Sequence, residues 1–191
     1  PGLIDPHNHT VLSAFYLELL TDVGYLKNKT RDDLIANLRV LVEATPQGEW
    51  VLASNFDNLL QGGDLSRAEL DKVSTTKPIF VWYTNGHDAA VNSMALKLAN
   101  IPDDIGNLPG GGHFGRGADG KLNGLVYEES AMLKVASAGM PKITPQLAYK
   151  AVNQFMQAAA ATGNTLLCRF RMDDDMVWGL LTNHGKGAAN D

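Results

Sequence analysis

Apolar and polar positions along this chain change spacing several times, and each change marks out an element. Leu3-Ile4 is a short apolar run, and Val11 to Leu20 is apolar enough for a helix. Thr30-Arg31-Asp32-Asp33 opens a clearer helix, as a capping-box-like start with Asp at N3. Behind it Leu34, Ile35, Leu38, Leu41 and Val42 recur at three and four, giving one buried stripe. Trp50 to Ala53 reads as a strand, and Ser66-Arg67-Ala68-Glu69 is a second capping box that starts a short helix toward Val73. The strongest strand signal is Pro78 to Thr84. Its unbroken Ile79-Phe80-Val81-Trp82-Tyr83 suits a strand covered on both faces.

Further along, Asn92 to Ala99 reads as helical, and the Gly- and Pro-rich stretch 102–120 as an irregular loop. Glu128 to Ala138 reads as helix. Thr144-Pro145 starts a last long helix with Pro at N1 and Gly163 as its terminator, its apolar face carrying Leu147, Ala148, Ala151, Val152 and Phe155. Leu166-Leu167-Cys168 reads as a strand. Strands alternating with helices predict an α/β arrangement with parallel pairing, and the chain shows no internal repeat or low-complexity tract.

Composition narrows the classes. With 191 residues, 45% hydrophobic and 19% charged, the chain has enough apolar material for a core. Its net charge of -5 leaves no basic footprint for nucleic acid or an anionic membrane surface. No run approaches the ~20 apolar residues of a membrane span. The single cysteine, Cys168, rules out an internal disulfide framework and fits a reducing, cytoplasmic setting; on its apolar strand it reads as a buried, inert thiol. A signal peptide stays open, because the chain begins at Pro1 without an initiating Met. Asp173-Asp174-Asp175 reads as a solvated turn and His184 as an exposed residue.

The candidate chemistry starts at Asp5-Pro6-His7-Asn8-His9. Residues i and i+2 of a strand share a face, so His7 and His9 could grip one metal ion, with Asp5 orienting a ligand or sharing the ion. Pro1-Gly2-Leu3-Ile4-Asp5-Pro6-His7-Asn8-His9 resembles the PGxIDxHxH segment that ends the first barrel strand of the amidohydrolase superfamily of metal-dependent hydrolases. Ser66 to Asp71, Pro78 to Val81, Gly86-His87, Val91 to Leu96 and Asp119 to Glu128 are similar in order and spacing to the large subfamily that includes N-substituted formamide deformylases.

That resemblance covers residues 1–165 and implies the N-terminal part of a (β/α) barrel, with 166–191 as an unmatched strand and tail. A complete barrel of this kind takes about 250 residues, so the expectation is an incomplete, TIM-like partial barrel. It implies a divalent metal, zinc first with iron or manganese as alternatives, on His7 and His9. It also implies a substrate pocket drawing on His87, Asn92, Trp82 and Glu128. A helix N-terminal acid explains Glu128 almost as well, and a capped structural turn is the rival for His87. His113, among Gly110 to Gly112, matches no position of the resemblance and reads as part of a flexible surface loop.

Three readings of function follow. The first is a fragment of an enzyme that hydrolyses amide or formamide-like C–N bonds of small molecules through a metal-activated water, inactive alone because later ligands and the proton shuttle are absent. The second is a non-catalytic truncated barrel, with or without metal, that covers its sheet edge by forming a homo-oligomer. The third is a small-molecule binding module around Trp82, His87 and Asn92.

Overall fold

The computed structural model describes residues 2–169. The acidic run at 173–175, His184 and the rest of the tail lie outside the described residues. The chain divides into two compact units, Pro1–Leu20 with Pro141–Asp191, and Thr21–Met140.

In the first unit, β1 (Leu3–Asn8) pairs in parallel with the strand Asn164–Arg169, here β8, and leads directly into α1 (Thr10–Leu19). The long helix α6 (Pro145–Ala161) begins as its sequence predicts. Pro145 occupies the first turn, Thr144 accepts from the Leu147 N–H, and Gly163 follows the helix at φ 89°, a left-handed conformation that suits glycine. Helices α1 and α6 pack through Ala14, Phe15 and Ala151, with Val11, Leu19, Ala148, Val152 and Phe155 around them. Glu18 and Lys150 pair at 2.6 Å on the same two helices.

The second unit is built on a six-stranded mixed sheet. Its strands are β2 (Thr21–Asp22), β3 (Val51–Phe56), β4 (Ile79–Tyr83), β5 (Asp88–Val91), β6 (His113–Arg116) and β7 (Leu122–Tyr127), in the order β2-β3-β4-β5-β7-β6. The helices are α2 (Arg31–Ala44), α3 (Arg67–Val73), α4 (Ser93–Leu98) and α5 (Glu128–Ala136). All five residues of β4 are buried, as its unbroken apolar run predicts. Val51, Ala53, Ile79, Val81, Tyr83, Ala90 and Leu125 form one core with Leu34 and Leu38 of α2 and Leu70 of α3. The alternate residues Phe80, Trp82, Ala89, Val91 and Val126 are buried as well, so these strands are covered on both faces. Both capping boxes form, Thr30 with Asp33 and Ser66 with Glu69.

Parallel pairing extends only over β2, β3 and β4; β4-β5, β5-β7 and β7-β6 are antiparallel. The expected parallel pairing thus holds for β1-β8 and for β2-β3-β4, and gives way to antiparallel pairing in the rest of the sheet. Asn85-Gly86 closes a turn after β4, with Gly86 at φ 78°, and sends the chain straight back as β5. Asn-Gly between apolar runs is a hairpin signal in its own right. The stretch 102–120 is also more ordered than its glycines suggest. Residues 113–116 pair with β7, and Gly115 lies so close to Asn123 that an added Cβ would stand 2.5 Å from the amide oxygen.

Asn92, ahead of α4, is fully buried and spends its whole side chain on the fold. Its Oδ1 accepts from the N–H groups of Ile79 (3.0 Å) and Ala95 (2.9 Å), and its Nδ2 donates to the carbonyls of Ser74 and Lys77 (both 2.8 Å). One amide thus ties the start of β4 to the start of α4.

Two outcomes follow from these contacts. Asn92→Ala leaves four buried backbone groups without their partner and should lower stability by about 3 kcal/mol, read as a fall in the urea midpoint with an unchanged slope. Glu69 should make stability pH-dependent. Burial pushes its pKa up, but the Ser66 N–H and hydroxyl and the charges of Arg31 and Lys72 outweigh that and hold it below the usual carboxylate range. Its contribution is therefore present above the unfolded-state pKa and is lost as pH falls through the folded value. Thermal melts of Glu69→Gln should decline less steeply than wild type below about pH 4.

Candidate functional site

Asp5 to His9 form a self-braced strand end. The Asp5 carboxylate accepts from the His7 backbone N–H (3.1 Å) and from Asn8 Nδ2 (2.6 Å), while Asn8 Oδ1 accepts from the Thr10 hydroxyl (2.8 Å). The carboxylate is spent on shaping the segment. His9 is not in regular strand; it is the N-cap residue of α1, at φ −100° and ψ 58°, and its carbonyl accepts from the Ser13 N–H. Strand alternation therefore does not bring the two imidazoles together. The bend at the helix start does, setting the rings 5.0 Å apart and tilted by 56°.

The result is a separation of 3.1 Å between His7 Nε2 and His9 Nε2. Two nitrogens on one tetrahedral zinc, each at ~2.0–2.1 Å, lie about 3.4 Å apart. As a donor pair His7 and His9 thus fit a shared ion, and without one the same approach is a hydrogen bond donated by whichever ring carries the proton on Nε2. Among the described residues no group of three His, Cys, Asp or Glu side chains is gathered to hold a metal.

In the second unit, His87 closes the β4-β5 turn. Asn85 Oδ1 accepts from the backbone N–H of His87 (2.9 Å) and of Asp88 (3.1 Å), and Asn85 Nδ2 donates to Asp88 (2.6 Å). His87 Nδ1 lies 3.1 Å from Glu128 Oε2, and the Glu128 N–H donates to the His87 carbonyl at 2.7 Å. Sequence separates this pair by 41 residues. Glu128 holds φ 65°, a left-handed conformation that costs a residue with a Cβ roughly 1–2 kcal/mol. Trp82 is buried, meets Phe80 edge to face at 5.9 Å and directs Nε1 at the Gly86 carbonyl (3.3 Å). Trp82 and Asn92 therefore sit inside the fold, whereas His87 and Glu128 are at its surface, with side chains 62% and 45% exposed.

His113 is placed on β6, not in a loop. Its ring stacks on Tyr127 at 4.6 Å and 16°, and its Nδ1 lies 2.9 Å from the Gly111 carbonyl. Tyr127's phenol is pushed up by burial and by the carboxylates of Asp64 and Asp88. Cys168 is exposed, which corrects the expectation of a buried thiol. The two-stranded β1-β8 sheet gives strand residues too little cover to enclose every apolar side chain.

A feature the sequence reading missed is a cleft of about 290 Å³ at the carboxyl ends of β2, β3 and β4, with Asp22, Tyr25, Leu26, Asn55, Asp57 and Thr84 among its walls. Open α/β sheets place ligands at such ends. Asn55 stands in a register shift between β3 and β4 at φ 65° and donates to Asp22. Burial raises the Asp22 pKa, but the Gly24 N–H, Asn55 and Lys27 together hold it low. An Asn inside the strand run Val51–Phe56 is the one sequence signal for this bend.

The sequence profile of the amidohydrolase family matches residues 1–184. N-substituted formamide deformylase of Arthrobacter pascens is 31% identical over 135 residues, 70% of this chain and 24% of that protein. Protein LONG AFTER FAR-RED 3 of Arabidopsis thaliana is 27% identical over 170 residues, 88% of this chain and 27% of that one. A crystal structure of an uncharacterized metal-dependent hydrolase from Pyrococcus horikoshii OT3 has a similar fold, with a TM-score of 0.55 at 17% identity, covering 98% of this chain and 34% of its own. The chain thus spans about a quarter to a third of the length of these proteins.

Proposed function

This chain belongs to the amidohydrolase family, and from that premise we propose that it is part of a metal-dependent hydrolase of amide or formamide-like C–N bonds in small molecules. The observation that carries the reading is the 3.1 Å convergence of His7 and His9 Nε2. These two residues would hold a divalent ion, with zinc first and iron or manganese as alternatives, and the bound ion would supply an acidified water and a polarised carbonyl. The chain's own contribution is positional. Asp5 fixes the backbone at His7, Asn8 links Asp5 to Thr10, and the start of α1 sets the angle of His9. His87 and Glu128 are assigned to the substrate pocket, supported by their exposure and mutual contact. In this reading β1 and β8 are neighbouring strands of an incomplete (β/α) barrel, the isolated chain has no turnover of its own, and the single cysteine suits a cytoplasmic setting.

A second reading is favoured by a separate observation. Leu3 and Ile4 of β1 are each 62% exposed and Leu166 of β8 is 52% exposed, an apolar surface on a two-stranded sheet. A non-catalytic partial barrel that self-associates would cover it.

Titrating the purified chain with zinc against a chromophoric chelator should show one site per chain, abolished in His7→Ala/His9→Ala and weakened about tenfold or more in Asp5→Ala, the scale expected when a supporting carboxylate is lost. Equal uptake by the double variant would refute the assignment. Light scattering of the same samples addresses the second reading: a dimer or larger species should dissociate when Leu3 and Leu166 are both changed to Ser, and a monodisperse monomer counts against it.

A further inference from the structure

The pairing of His87 with Glu128 has a chemical consequence that does not depend on any metal. An ionised carboxylate only accepts hydrogen bonds, so the 3.1 Å contact from His87 Nδ1 to Glu128 Oε2 places the ring proton on Nδ1. In the neutral imidazole the other ring nitrogen, Nε2, is then the lone-pair edge of a side chain that is 62% exposed. Glu128 is held to this task twice over, through its carboxylate and through its backbone N–H to the His87 carbonyl at 2.7 Å. It does so from a left-handed backbone at φ 65° that glycine would occupy without strain. A residue kept in a strained conformation, where the relaxed alternative would lose only its carboxylate, points to that carboxylate as the reason. The surroundings are acidic. Asp88 adjoins His87, and both Asp64 and Asp88 are close enough to act on Tyr127.

We propose that Glu128 is a positioning residue that fixes His87 as the Nδ1–H tautomer, and that His87 Nε2 is a recognition point for the N–H of an organic ammonium group. The dyad rests on local geometry alone. The choice of ammonium also rests on the reading of this chain as part of a C–N hydrolase, because hydrolysis of an amide releases an amine.

Nitrogen-15 NMR of the histidine rings at about pH 8, where an ordinary imidazole is neutral, reads the tautomer directly. His87 should show Nδ1–H and a bare Nε2 in wild type, and a shift toward Nε2–H in Glu128→Gly. Glu128→Gln should retain the wild-type tautomer, because its amide oxygen still accepts from Nδ1. Glu128→Gly removes backbone strain, so its melting temperature should equal or exceed that of wild type; Glu128→Asn, which also tolerates φ near 65°, stands in for it if it does not. His113, whose Nδ1 lies against the Gly111 carbonyl, is the internal control and should not change.

Benzylammonium chloride titrated into the same samples should move the His87 Nε2 resonance in wild type and bind about tenfold more weakly in Glu128→Gly. An Nε2–H tautomer in wild type, or an unchanged tautomer in Glu128→Gly, would overturn the dyad. A correct tautomer with no response to benzylammonium would overturn the ligand, while the hydrolase reading would still be decided by the zinc titration of His7 and His9.

Discussion

Strand β4 has no exposed residue, and the larger unit is organised by what that burial demands. A strand removed from water on both faces must find partners for its N–H and C=O groups along both edges. β3 supplies one edge in parallel and β5 the other in antiparallel sense. The first residue of β4 needs one more acceptor, and the Ile79 N–H finds it in the side chain of Asn92. The same amide caps α4 and closes the Ser74–Lys77 turn, so the strand and the helix that follows β5 are set by one fully buried group. Lys77 contributes from the other side by donating its ammonium to the carbonyls of Val42 and Thr45 at the end of α2.

The functional candidates sit where this regular structure stops. His87 follows the tight turn at the end of β4, and Glu128 follows β7, so the antiparallel β5-β7 pairing carries them to the same edge. In the first unit, His7 ends a strand and His9 starts a helix. At each place two chemically active side chains are brought to about 3.1 Å by a change of backbone direction rather than by the repeat of an element. Strain accompanies the second pair, at Glu128, and also Asn55 in the cleft beyond β3. Positions of that kind are retained only where the surrounding contacts over-determine them.

Local signals were legible wherever their physics is local. The capping boxes at Thr30 and Ser66 need only residues three apart, and both form. The Thr144-Pro145 start and Gly163 end of α6 depend on the φ preferences of single residues, and the buried run of β4 on the apolarity of five consecutive side chains. The PGLIDPHNH segment is likewise a continuous string, which is why the family could be read from it and its two histidines singled out together.

What the sequence did not decide depends on partners distant along the chain. Whether β5 returns beside β4 or crosses over is set by which edge is free to pair, so an Asn-Gly turn overrode the alternation of strands and helices. His113 became a strand residue because β7 offered it an edge, despite the glycines before it. Cys168 lies exposed because the cover over a strand is a property of the layers around it and not of its own apolar neighbours. The four backbone partners of Asn92 and the contact of Glu128 with a histidine 41 residues away were not legible in either residue's neighbours along the chain. Sequence alone determined the helices with their caps, the buried strand β4 and the family, because those follow from short-range sterics and hydrogen bonding. Tertiary structure alone decided which edges met and which side chains faced one another, because those follow from burial summed over segments that are distant until the chain folds.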